Sequence, residues 1–435
     1  MRRVRSLIGR DSLGGTMARG ATWALGVNIL TVGLGAIVQF TLARVLGSGG
    51  YGQYLYVLGW MNICLIFVKF DFDLSSVRYV ATYSGSGQSA LLRGFERTAL
   101  GFTSSLSLGV GTVGAVTLWL LRDQIGESLA RSGILAAAAL PVMTIAAVMA
   151  GALRGRKLIP QATAHLIVRP LLLLICVVIL VVAGKSISTE LALAINVGAA
   201  LVAATLTAWL LARARRGMAT DRIERRRREW FATAAGMMPA AIAEMTLGHT
   251  IDVVIVGTLL GSVQAGVYGL ASQLLAPSTF VMAAIVSIGA PMIADLYANG
   301  RKEDLKRLIR VMGRVNILFI VPALALLWLV APFVLPWFGE GYRSGYPVMV
   351  ILGIGNLSAS LGSFAAVMLT MTGHHKDASV IIGVSAVTNL VLALILTPLF
   401  GLVGIATATT VALFVRNISL VVVAKRRTGV NPVPI

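Results

Sequence analysis

Apolar residues gather in blocks of twenty or more along this chain, and most polar residues fall in the short gaps between them. Twelve blocks are legible, at residues 21–46, 52–72, 97–120, 133–153, 160–183, 190–212, 231–259, 265–296, 312–337, 345–371, 378–397 and 402–424. An α-helix needs about 20 residues to cross a hydrocarbon layer about 30 Å thick, so each block predicts one transmembrane helix. None shows the short period-two alternation of a membrane β-strand. Pro141, Pro170, Pro239, Pro277 and Pro322 lie inside blocks. A helix bundle tolerates them because neighbouring helices and waters satisfy the carbonyls they release. The first block is too long for a signal-peptide core and has no cleavage pattern, so it is expected to remain as the first helix.

The chain has 435 residues, 57% of them hydrophobic and 12% charged. Soluble domains carry about 25% charged residues, so this composition belongs in lipid. The net charge of +20 would suit a nucleic-acid partner only if the basic groups covered a soluble domain. They lie between the apolar blocks instead, which excludes that class. Alternate connections, starting with the N-terminus, hold 30 Lys and Arg, whereas the others hold 5; Arg169 and Arg416 fall inside blocks. Short loops rich in Lys and Arg stay cytoplasmic, which predicts both termini inside and an even number of spans. The two cysteines, Cys64 and Cys176, sit in apolar blocks and suggest neither a disulfide nor a metal site.

These signals divide the chain into a basic N-terminus (1–20), a first lobe (21–212), a basic linker (213–230), a second lobe (231–424) and a tail (425–435). The linker contains Arg225–Arg228 and reads as a topology-holding segment on anionic lipid or as a partner site. The lobes echo each other. Leu46-Gly47-Ser48, Gly52 and Tyr54 recur 214 residues later as Leu260-Gly261-Ser262, Gly266 and Tyr268, and Tyr83 recurs as Tyr297. Gly155-Arg156-Lys157 is echoed by Gly373-His374-His375-Lys376. Internal repeats are a transporter signature. This one is parallel, with its axis along the membrane normal. Gly47 and Gly52 suit a tight outer turn, and Tyr51, Tyr54 and Tyr268 suit the membrane interface. Residues 301–314 present Leu305, Leu308, Ile309 and Met312 on one face, which predicts a short helix lying on the inner interface.

No H-E-x-x-H, CxxC, G-x-S-x-G or phosphate-loop pattern occurs, and no loop is long enough for an extramembrane active site. The expectation is a protein that is not an enzyme and has no cofactor beyond proton or sodium coupling. Polar groups inside spans are costly and mark cavities or partners. Gln161, His165 and Arg169 recur at i+4 on one face of the fifth span, where a guanidinium would suit a phosphate-bearing substrate or pair with a neighbouring carboxylate. Glu244, His249 and Asp252 on the seventh span are candidates for ion coupling; their carboxylates could equally be partners of Arg169, Arg416 or Arg44. Asn28 and Gln39 lie near one face of the first span with Thr31 and Gly35, as a cavity lining or a packing surface. Arg44 ends that span, and Arg416 lies two turns inside the twelfth.

The segment from Arg44 to Tyr54 resembles the A-R-x-L-G-x-x-x-Y-G-x-Y signal of Wzx-type polysaccharide flippases, in the multidrug/oligosaccharidyl-lipid/polysaccharide exporter superfamily. Asp252 with Val256-Gly257, Leu260-Gly261 and Gly266-Val267-Tyr268 continues the likeness. So do Pro291–Leu296, Phe338–Tyr342, Gly373–Lys376 and Gly401–Ala406, in order and with matching spacing. This resemblance implies an all-α bundle of about twelve transmembrane helices, in two pseudo-symmetric six-helix lobes around a central cavity. It implies alternating-access flipping of an undecaprenyl-diphosphate-linked oligosaccharide across a bacterial inner membrane, for O-antigen or another surface polysaccharide. Its partners would be that substrate, membrane lipids and other polysaccharide-assembly membrane proteins. Arg44 falls on the family's outer arginine; no family motif assigns a role to Arg169, Glu244 or Asp252, whose roles rest on the cost of a charge in lipid. The alternatives are a drug/cation antiporter of the same superfamily, a peptidoglycan-precursor flippase, whose relatives carry two further helices, and a membrane-embedded glycan polymerase or glycosyltransferase, which would need a catalytic loop.

Overall fold

The computed structural model describes residues 13–215 and 223–432. Among them the chain is helical throughout and forms no strand. The helices are α1 (Leu13–Lys69), α2 (Phe72–Gly85), α3 (Ser89–Leu120), α4 (Arg122–Ile125), α5 (Glu127–Gly155), α6 (Ile159–Val182) and α7 (Thr189–Ala214). They continue as α8 (Arg227–Leu247), α9 (His249–Leu259), α10 (Ser262–Ala298) and α11 (Lys302–Phe338), then a 3-10 turn (Glu340–Gly345), α12 (Tyr346–Met371) and α13 (His375–Thr428). The apolar blocks are helical apart from edge residues and a bend. Eight helices among the described residues are long and apolar enough to cross a membrane, or nine if α8 and α9, bent by 59°, form one span. Two helices each hold two apolar blocks: α1, broken at Gly47 (φ 66°, ψ 177°), and α13, broken at Gly401 (φ 60°, ψ −136°). Chains lacking a Cβ reach these backbone angles without clash, which is why glycine occupies both breaks.

The internal repeat is written into the backbone. Positive φ occurs at Gly47 and Gly261, Gly87 and Gly300, Gly126 and Gly339, Lys157 and Gly373, and Gly184 and Gly401. Members of each pair lie 213 to 217 residues apart, in the same order in both halves. Gly47 and Gly261 also share an extended ψ, 177° and 172°.

The chain packs into two units, one of Met1–Leu42 with Met61–Met238 and one of Ala43–Trp60 with Pro239–Ile435. The packing boundary therefore falls inside the seventh apolar block, and the 43–60 segment packs with the second unit. In lipid the hydrophobic effect does not drive helices together, so contact depends on close packing and interhelical hydrogen bonds. In the first unit α5 supplies this through Gly151 and Gly155. A Cβ at Gly151 would lie 2.1 Å from the Asp73 carbonyl oxygen. An aromatic core of Phe72, Tyr79, Tyr83, Phe95 and Trp230 packs beside it. Trp230 is fully buried and donates Nε1–H to the Tyr83 hydroxyl at 3.0 Å. The end of the basic linker is thereby docked: Glu224 N–H donates to the Ala90 carbonyl at 3.2 Å, and Gly94 leaves room for the Glu224 carbonyl. Residues 216–222 of the linker lie outside the described residues.

In the second unit, Asn316 bonds Ser360 at 2.5 Å, Asn417 bonds Ser358 at 3.3 Å and Asn356 bonds Ser278 at 3.4 Å. Two expectations change here. Tyr51, Tyr54 and Tyr268 are buried rather than interfacial, because the 43–60 hairpin approaches α10 at backbone distance and covers the rings. Residues 301–314 do not form a separate surface helix. They begin the 37-residue α11, and Leu305, Ile309 and Met312 pack into a core with Ile293, Phe364 and Leu420.

Candidate functional site

Polar side chains converge at two places, one in each unit. In the first unit a cavity of about 170 Å³ opens between α1, α5, α6 and α7, lined by Asn62, His165 and Arg169. Ala146, Ala147, Ala200 and Ala203 line the opposing helices, and their short side chains make the room. Arg169 is half-buried and donates Nε–H to Asn196 Oδ1 at 3.0 Å. The i+4 spacing places Gln161 and His165 on its face of α6, where Gln161 Oε1 and His165 Nδ1 are buried without a hydrogen-bond partner. Pro170 offers no N–H to the carbonyl of Leu166, another lining residue. The cavity is therefore lined by one guanidinium, one imidazole and one amide, that of Asn62, within apolar walls. That set can bind an oxyanion, with Arg169 supplying the charge.

In the second unit Asp252 is fully buried at the first turn of α9. The Tyr268 hydroxyl donates to its Oδ2 at 2.6 Å, and the Thr409 hydroxyl donates to the same oxygen at 2.9 Å. Asn389 places Nδ2 at 3.4 Å from Oδ1 and 3.0 Å from the Thr246 carbonyl. The nearest basic group is His249 Nδ1, 3.9 Å from Oδ2. Among the described residues no Lys or Arg forms an ion pair with it. Asn389 Oδ1 and His249 Nδ1 are buried acceptor or donor atoms without partners. Asp252 thus sits as a buried carboxylate among two hydroxyl donors and an amide N–H, with the imidazole of His249 beside it. No group of three or more His, Cys, Asp or Glu suited to a multivalent metal occurs among the described residues.

The other predicted residues lie apart from these two clusters. Glu244 is exposed on α8, and the bend after Leu247 separates it from Asp252. Arg44 lies over the Trp337 ring, 5.6 Å from its centroid, and donates to the Trp337 carbonyl. Arg416 is half-buried in α13, its Nε without a partner. Gln39 is half-buried in α1; the side chain of Asn28 lies outside the described residues. Sequence reasoning missed Asn196, Thr409 and Asn389, which are ordinary polar residues in apolar blocks. Their intramembrane position was the available signal. It also missed the buried Glu96, held by Arg156 at 2.5 Å and Arg215 at 2.9 Å.

A family model for polysaccharide biosynthesis proteins matches residues 17–297, and a MatE model matches residues 239–395. No curated protein matches the chain in sequence. Among solved structures, an inward-facing multidrug resistance MATE family transporter of the MOP superfamily superposes with a TM-score of 0.75 at 12% identity, covering 92% of this chain and 94% of the other. The lipid II flippase MurJ, in an inward closed conformation, gives 0.70 at 11% identity, over 92% and 86%. A MOP superfamily transporter from Pyrococcus furiosus gives 0.55 at 15%, over 93% and 94%. At these identities the likeness is one of fold alone.

Proposed function

As the chain belongs to the polysaccharide biosynthesis protein family, we propose that it flips an undecaprenyl-diphosphate-linked oligosaccharide from the inner to the outer leaflet of a bacterial cytoplasmic membrane. In this reading it crosses the membrane twelve times, with Gly47 and Gly401 as turns between spans and both termini cytoplasmic. It acts as a carrier by alternating access and catalyses no covalent reaction.

Arg169 carries the reading. A guanidinium in the middle of a 24-residue apolar helix is expensive, and its position at the edge of a cavity supplies a reason to keep it. A diphosphate headgroup cannot cross hydrocarbon bare. Arg169, with His165 and Gln161, replaces part of its hydration while the lipid tail stays in the bilayer. Arg44, Arg416, Asn28 and Gln39 are further candidate contacts along the path. Asp252 is the coupling group: a buried carboxylate with hydroxyl donors and, among the described residues, no Lys or Arg ion-pair partner suits an exchangeable proton or sodium ion. His249 adjusts that site, and Glu244, exposed on α8, is a secondary cation contact. Partners are the lipid-linked glycan, surrounding lipids and other polysaccharide-assembly membrane proteins.

The test is deletion of the gene followed by leaflet-resolved analysis of lipid-linked glycans. Accumulation on the cytoplasmic side supports flipping. Normal delivery to the outer leaflet with defective polymerisation would defeat it.

A further inference from the structure

A second cavity, of about 550 Å³, lies in the first unit away from Arg169. Arg93 and Arg97 of α3 and Arg215 at the end of α7 supply its charge, and Leu100, Gly101, Ser104 and Ile223 its walls. Among the described residues Glu96 is the only acidic side chain lining it, and Glu96 is already held between Arg156 and Arg215. The cavity is therefore net positive.

Its layout is graded along one helix face. Positions 93, 97, 101, 104 and 108 recur every three or four residues, so they follow one stripe of α3. The stripe begins with two guanidiniums at the basic, inner end of the helix. It passes Gly101, where nothing occupies the space a side chain would fill, and reaches Leu108, which is exposed. Beyond it Val113, Val116, Trp119 and Leu120 are exposed as well, an apolar continuation of the same helix. The twelve residues of helix from Arg93 to Ser104 rise about 16 Å, enough to pass from headgroup depth into the acyl layer.

We infer that this cavity binds an anionic phospholipid of the inner leaflet, its phosphate on Arg93, Arg97 and Arg215 and one acyl chain along Leu100, Gly101 and Ser104. Guanidiniums bind phosphate oxygens in paired, charge-assisted hydrogen bonds. A site with both a basic rim and an apolar wall distinguishes a whole lipid from a free phosphate. The site shares with the proposed function the inward placement of the start of α3 and nothing else, so the two are separable: a flipping defect reports on Arg169, lipid retention on Arg93.

The experiment is native mass spectrometry of the delipidated full chain in detergent, titrated with dioleoyl phosphatidylglycerol or dioleoyl phosphatidylcholine. The wild-type chain should retain one phosphatidylglycerol in preference to phosphatidylcholine. The double variant Arg93→Gln, Arg97→Gln should lower the apparent affinity for phosphatidylglycerol about tenfold and leave phosphatidylcholine unchanged. Gly101→Leu should also lower it, by filling the acyl wall without altering charge. Lys425→Gln with Arg426→Gln, removing two charges from the end of α13, should have no effect. Equal retention by the wild-type and the Arg93, Arg97 variant, displacement by glycerol 3-phosphate alone, or tighter binding of undecaprenyl phosphate than of phosphatidylglycerol at this site would overturn the assignment.

Discussion

A carboxylate sealed from solvent needs a counter-charge or a proton, because an isolated buried ion costs several kcal/mol. Asp252 has the hydroxyls of Tyr268 and Thr409 on one oxygen. Asp252→Asn keeps the volume and leaves an oxygen for both hydroxyls, so the protein should insert and purify normally. It removes the exchangeable charge, so ion-driven transport in vesicles should fall at least about tenfold. Tyr268→Phe deletes one donor worth about 1–3 kcal/mol and should shift the ion concentration for half-maximal transport without abolishing it. Unchanged ion dependence in both variants would remove Asp252 from the coupling step. At Arg169 the chemistry is the planar guanidinium. Arg169→Ala should leave insertion intact and lower flipping about tenfold or more, read as lipid-linked glycan in the outer leaflet. Arg169→Lys should recover part of it, since an ammonium keeps the charge and loses the fork. Normal flipping by the alanine variant would make Arg169 a packing residue bonded to Asn196.

Helices in this chain are set by two kinds of information, and only one has a period. The apolar blocks announced the helices well, because a span has few other ways to satisfy its backbone in lipid. Close approach has no such period. Gly52 and Gly266 stood out as repeat members, yet their role is contact. A Cβ on Gly52 would lie 1.7 Å from the Ser262 carbonyl oxygen, and one on Gly266 would lie 2.1 Å from that of Ser48. This crossing buries Tyr51, Tyr54 and Tyr268, which residue type alone assigned to the interface. The bend between α8 and α9 was hidden for a similar reason: the apolar run gives no sign of the 59° turn that falls between Glu244 and Asp252. Of the candidate site, the charged members were legible from their cost in lipid; Asn196, Asn389 and Thr409 were not, because such residues also serve ordinary helix packing. Gly52→Val and Gly266→Val should each cost more than about 4 kcal/mol, the range of severe backbone clashes. Gly33→Ala in open space on α1 should be neutral or slightly stabilising, since alanine is the better helix former. Thermal unfolding followed by size-exclusion fluorescence measures both, and a tolerated valine at Gly266 would show that the crossing yields.

Duplication explains the frame of the molecule, and divergence explains its chemistry. Five pairs of positive-φ positions run in parallel through both halves, so those turns were inherited as a set; Phe70, Asp71 and Gly429 have no counterpart among the described residues. The reactive groups were not: at the offset that pairs Gly47 with Gly261, Asp252 is matched by Val38. Each unit thus carries its own chemistry, a guanidinium cavity in one and a buried carboxylate in the other. A parallel repeat of this kind requires both halves to begin on the same side of the membrane, so each half must contain an even number of crossings. The 30-to-5 division of Lys and Arg predicts that this side is the cytoplasm. Replacing Cys64 and Cys176 with alanine gives a background for testing this with single cysteines. Ser86 and Asn299 are exposed in connections assigned to the inside, and Ser186 and Ser344 in connections assigned to the outside. In intact cells a membrane-impermeant maleimide should label Ser186→Cys and Ser344→Cys, and should reach Ser86→Cys and Asn299→Cys only after permeabilisation. Because Ser86 and Asn299 are near-equivalent positions of the repeat, they must behave alike. Labelling of one but not the other in intact cells would mean that the two halves are inverted, and the parallel frame would fall with it.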